Sequence, residues 1–168
     1  MVEVTIDSIR VSLMSQHRVI VLKDPKSDRF LPIWIGPCEA DAITVTLQEQ
    51  EMARPLTHDL LKVLITQMGG ELLHVVIHAL QNDTFYAKLI VRQNGKQIEI
   101  DSRSSDAIAL AVRVHVPIFV EEVVLDQAAT TPDEEVQSET PKETPDDRLS
   151  VFKDYIDSLN LDDLDTEE

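Results

Sequence analysis

At 168 residues and 18.9 kDa the chain has room for one domain of roughly 120 residues plus a tail, and a hydrophobic content of 43% excludes wholesale disorder. Aromatic residues are only 4%, which argues against a base-stacking platform for single-stranded nucleic acid. The net charge of −16 is localised: residues 1–120 hold 12 Lys and Arg against 14 Asp and Glu, residues 121–168 hold 3 against 17, and the near-neutral front part lacks the basic footprint of a phosphate-backbone binder.

A single cysteine, Cys38, excludes an internal disulfide and any zinc site built on several thiolates. No apolar run approaches a membrane span, and the start MVEVTIDSIR has neither a basic region nor an apolar core of a secretion signal. The expectation is a cytoplasmic protein without membrane contact.

Val2, Val4 and Ile6 alternate, then Ile9, Val11 and Leu13 do so with opposite parity. The change at Asp7-Ser8 predicts two strand pieces joined by a bulge. Arg18–Lys23 and Phe30–Ile35 predict a strand pair around the turn-rich segment Asp24-Pro25-Lys26-Ser27-Asp28. Gly36-Pro37 opens a helix to about Gln50, with Ala40, Ile43 and Leu47 on one face. A second helix has Thr57 as N-cap and a buried stripe of Leu60, Leu61, Leu64, Ile65 and Met68, and Gly69-Gly70 stops it. Leu72–Leu80 reads as a strand, and Thr84–Arg92 and Gln97–Asp101 as a hairpin turned by Asn94-Gly95. A third helix spans about Arg103–Val114, and Pro117–Val120 is a last strand.

The expected fold is therefore α+β, a mixed or antiparallel sheet with hairpin-helix units over residues 1–126. An echo at an offset of 65, Asp41-Ala42-Ile43 against Asp106-Ala107-Ile108, suggests an internal duplication that would bring the two helix starts and their carboxylates together. Residues 127–148 carry three prolines and four threonines with Val136 as their one bulky apolar residue, the composition of a disordered acidic linker. Residues 149–168 hold a short amphipathic helix with the stripe Leu149, Phe152, Ile156 and Leu159, ordered only when docked on its own domain or a protein partner.

The segments LPIWIGPCEADAI (31–43), RPLTHDLL (54–61), TFYAKL (84–89), IDSRSSDAIALAVR (100–113) and PIFVEEVV (117–124) resemble the bifunctional nuclease domain family over roughly residues 1–125. That resemblance implies a compact α+β domain, often dimeric, with nuclease activity towards RNA and DNA. The family usually has proline where this chain has Ser104, a loss of backbone pre-organisation but of no reactive group.

The carboxylates Glu39, Asp41, Asp101 and Asp106 lie at or beside the two hairpin-to-helix junctions. Hard oxygen ligands of this kind could hold Mg²⁺ or Mn²⁺ and activate water; equally, acidic residues at helix starts complement the helix dipole. His58 with Asp59 forms a candidate acid/base pair, or a capped helix start, and Arg54 and Arg103 are candidate phosphate clamps. Ser102 and Ser105 fit capping better than nucleophilic attack. His74 and His78 have metal-binding spacing only on a helix; on a strand they stand about 13 Å apart. Cys38 fits small-residue packing better than reactivity. The expected function is hydrolysis of phosphodiester bonds by a homodimer that holds nucleic acid transiently. The alternative is a non-catalytic regulatory or interaction module whose polar cluster is structural.

Overall fold

The computed structural model describes residues 1–11 and 18–131. Among them the order is β1 (Val2–Val11), β2 (Arg18–Lys23), β3 (Phe30–Ile35), α1 (Pro37–Leu47), α2 (Thr57–Gln67), β4 (Gly70–Gln81), β5 (Thr84–Gln93), β6 (Lys96–Arg103), α3 (Ser104–Val114), β7 (Ile118–Val120) and α4 (Glu122–Ala128). The strands form one mixed sheet in the order β3-β2-β1-β7-β4-β5-β6, parallel only between β4 and β7. The fold is α+β, as the alternation of strand and helix periodicities predicts.

Local chemistry sets most of these elements. The β1–β2 register shifts between Ile6 and Ser8, so the bulge falls where the apolar parity changes. Asp24 shapes the β2–β3 turn by accepting from the Lys26 N–H at 2.9 Å, the Ser27 hydroxyl at 2.7 Å and the Arg29 guanidinium at 3.0 Å. The first two of these bonds are the main reason its carboxyl lies below the ordinary value. β4, β5 and β6 form a meander whose turns at Asn82-Asp83 and Asn94-Gly95 all take positive φ, the conformation that two-residue hairpin loops require. Only the second turn is legible as Asn-Gly.

Val75 and Ile77 of β4 and Ala87, Leu89 and Val91 of β5 enter one core with Ile43 of α1, Ile108 and Leu110 of α3, and Val124 and Leu125 of α4. The alanines at 107, 109 and 111 are fully buried and leave α3 no bulk to hold it off the sheet. Two hairpin-helix units, β2-β3-α1 and β5-β6-α3, repeat, out of register with the internal echo.

Several expectations are corrected. α1 ends at Leu47, which is half exposed rather than buried. Thr57 is the first helical residue of α2 and Leu56 holds its cap position; Arg103 holds that of α3, with no capping bond from Ser102 or Ser105. The stripe predicted to bury α2 faces outward, with Leu60 63%, Leu64 53% and Met68 65% exposed. Of that stripe only Ile65 packs on the core, beside the buried His58, while the exposed Lys62 reaches back to α3. There His58 meets Asp106 and the Lys62 ammonium donates to the Arg113 carbonyl, so polar bonds replace a leucine seam. α4 is an element that the sequence pattern did not announce. Regular structure runs past residue 126, through Ala128 to a bridge between Phe30 and Thr130. The rest of the linker, the C-terminal helix and its docking, and the Leu13 end of the first strand lie outside the described residues.

Candidate functional site

Three helix starts converge at one place. Glu39 and Asp106 each occupy the third position of their helices, α1 and α3, and His58 the second of α2. Arg103, at the cap position of α3, lies between the two carboxylates. Its Nη2 donates to Glu39 Oε1 at 2.7 Å and to Asp106 Oδ1 at 3.1 Å, and its Nε donates to Asp106 Oδ2 at 2.6 Å. Both carboxylates hold the Arg103 guanidinium above its usual range, Asp106 more strongly. A Cβ at Gly36 would meet the Glu39 carboxylate, so a larger residue there makes that side chain shift.

His58 Nε2 lies 3.0 Å from Asp106 Oδ1. Burial pushes the Asp106 carboxyl up, but the hydrogen bonds and charges of Arg103 and His58 outweigh it and hold the group below the ordinary carboxylate value. An ionised carboxylate only accepts, so His58 donates through Nε2. Nδ1 has no partner among the described residues and is not sealed from solvent, which leaves it available as a base in the neutral ring. The cluster opens into a cavity of about 420 Å³ lined also by Cys38, Asp41, Met52, Leu56 and Thr57. Arg103 is 67% exposed and presents its guanidinium to this opening.

The remaining candidates lie elsewhere. Asp59 points away from the base position: it accepts from the Leu56 N–H at 2.8 Å and from Arg113 Nε at 2.9 Å, a capping and anchoring role. Asp41 lines the cavity but turns towards Arg18 at 3.9 Å, and Asp101 is exposed on β6 opposite Lys88. Arg54 lines a neighbouring cavity and not this one. Among the described residues no three His, Cys, Asp or Glu side chains gather as a metal site. Both Asp106 oxygens and Glu39 Oε1 accept from Arg103, Asp41 turns to Arg18 and Asp101 lies on β6, so the four carboxylates read from the sequence do not gather around one Mg²⁺ or Mn²⁺ in this arrangement. His74 and His78 both lie on β4, and His74 packs edge-on against Phe119. Cys38 is exposed in the first turn of α1.

Sequence reasoning missed Arg113. Buried at 5% exposure, it donates to Asp59, to the Ala109 carbonyl at 3.0 Å and to the Ala42 carbonyl at 2.9 Å, tying α1, α2 and α3 together behind the site. Its signal was an arginine on the apolar face of a helix otherwise built from Ala, Ile and Leu.

Residues 20–133 match the model of the bifunctional nuclease domain. An uncharacterized protein of Mycobacterium tuberculosis (strain H37Rv) is 44% identical over 162 residues, covering 96% of this chain and 97% of its own. Bifunctional nuclease 1 of Oryza sativa subsp. indica is 30% identical over 116 residues, which is 67% of this chain but 35% of the rice protein. Bifunctional nuclease 2 of Arabidopsis thaliana is 30% identical over 108 residues, 62% of this chain and 33% of the plant protein. On the family match and the fold beneath it, the chain belongs to the bifunctional nuclease domain family.

Proposed function

We propose that the protein hydrolyses phosphodiester bonds of RNA, DNA or both in the cavity at the three helix starts. The observation that supports this most is the Asp106–His58 pair beside an exposed Arg103. Asp106 orients the imidazole through Nε2, so Nδ1 takes the proton of a water as its oxygen attacks phosphorus. The ester P–O bond breaks, the leaving oxygen takes a proton from solvent water on the opposite side, and the imidazolium gives its proton back to water. Arg103 faces the charge that grows on the phosphoryl oxygens, and Glu39 holds that guanidinium in place. No step in this reading passes through a metal ion.

The test is cleavage of single-stranded RNA and DNA by highly purified protein, with and without EDTA. His58→Ala should lower the rate about 10²–10⁴-fold, and cleavage by the wild type should persist in EDTA. Unchanged cleavage by His58→Ala would assign the activity to a contaminant. The one observation favouring a non-catalytic module is that Arg103 already satisfies both carboxylates; complete absence of cleavage by wild type would decide for it.

The reading includes self-association in a cytoplasmic setting. No helix among the described residues is long and apolar enough to cross a membrane. Among the described residues β3 and β6 are the outer strands of the sheet, β3 bridged only at Phe30 by Thr130, and the outward leucines of α2 form an apolar face that suits a second copy. Sedimentation should show a dimer at tens of micromolar that Leu64→Glu converts to monomer. A monomeric wild type removes this part of the reading.

A further inference from the structure

The cavity around His58 does not hold a polyanion unaided. Glu39, Asp41 and Asp106 set three carboxylates against Arg103 there, with Arg18 engaged by Asp41 at the rim. A nucleic acid that reacts at His58 needs a cationic contact elsewhere along its backbone.

The neighbouring cavity, about 580 Å³, shares Val45, Met52 and Leu56 with the first, so the two are halves of one groove divided by an apolar ridge. Arg54 and His115 line only this second half. Both are exposed, and neither has a hydrogen-bond or ion-pair partner among the described residues. His115 ends α3 in the left-handed conformation, φ 59°, which carries its side chain off the helix. Asp59 also lines this half, but its charge is met by Arg113, which leaves Glu49 as the opposing carboxylate. The second half is therefore the less negative end of the groove.

We infer that Arg54 and His115 form a second phosphate subsite, adjacent to the scissile one, and that the ligand is single-stranded nucleic acid. This rests on the proposed reaction at His58. A phosphate held at Arg54 and another at Arg103 place the intervening nucleoside against Met52 and Leu56, an apolar ridge that an unpaired base can cover. In a duplex that face is stacked inside the helix. With no Phe, Trp or Tyr among the described residues that line either half, the grip is transient.

The test is fluorescence anisotropy of a short labelled phosphorothioate oligothymidylate, which resists cleavage, titrated with the full chain at low salt. Arg54→Ala should raise Kd about tenfold and lower the dependence of log Kd on log salt by about one phosphate contact. His115→Gln should weaken binding less. Arg92→Ala removes an exposed arginine paired with Glu71 on the β4–β5 ladder and should leave Kd within about twofold, since it breaks no phosphate contact. The same strand annealed to its complement should bind more weakly than the free strand. The subsite is overturned if Arg54→Ala matches wild type in both Kd and salt slope, if Arg92→Ala weakens binding equally, if the duplex binds as tightly, or if wild type does not bind. These outcomes are separate from the cleavage reading, which stands or falls on His58→Ala.

Discussion

Arg103 decides what the neighbouring carboxylates do. A guanidinium between Glu39 and Asp106 offsets one of their two charges, and Asp106 Oδ1, shared with Arg103, orients His58. Since Asp106 is depressed in the folded state, its contribution to stability is fully present above the unfolded carboxylate value of about 3.9. It is lost as pH falls through the lower folded value. Thermal melts from pH 6 down to pH 2 should therefore show a steeper loss in wild type than in Asp106→Asn, whose curve lacks that titration. Parallel curves would mean that Asp106 gains nothing from its partners. Gly36→Ala is the sharper probe of position: the new methyl displaces the Glu39 carboxylate and loosens Arg103, which then keeps only its bonds to Asp106. Cleavage should fall at least tenfold while the melting temperature moves little, because the cluster faces the opening and not the core.

At the scale of elements, α2 reverses the usual arrangement of an amphipathic helix. Its leucines face out, and it is held by His58, by the Asp59–Arg113 pair and by Lys62. At concentrations too low for self-association, Leu60→Glu should lie within about 0.5 kcal/mol of wild type in denaturant unfolding, whereas a buried leucine would cost several times that. Arg113→Met, which keeps the aliphatic bulk, should cost about 2–4 kcal/mol, because it leaves Asp59 without its partner and cuts the tie from α3 to the Ala42 carbonyl of α1. It should also lower cleavage, since α2 carries His58. A leucine stripe at helical spacing is legible in sequence, but the direction it faces depends on what the rest of the chain brings beside it.

For the whole molecule, α4 changes where the acidic tail is best removed. A cut at residue 127 shortens α4 and deletes Thr130, which bridges Phe30. A cut at 133 leaves the compact unit Met1–Pro132 whole. Deleting 133–168 should keep the melting temperature within a few degrees and raise cleavage at low salt, with the gain fading as salt is added. Activity equal to wild type at every salt concentration would remove the screening role read from the tail's charge.

What the sequence by itself determined was local. Alternating valines and isoleucines, Asn94-Gly95, Gly36-Pro37 and the parity change at Asp7-Ser8 act within a few residues, and strands, turns, the bulge and helix starts follow them. The motifs also carried the family, whereas the echo at 41 and 106 is out of register with the two hairpin-helix units, whose helices begin at Pro37 and Ser104. Tertiary structure alone decided the pairing. The structural equivalent of Asp106 is Glu39, not Asp41, because each lies at the third position of its helix. Asp59 serves Arg113 instead of His58, and Arg54 lines a different half of the groove from Arg103. These outcomes turn on distances between side chains far apart in the chain, set when α1, α2 and α3 close on one sheet, and no local spacing encodes them.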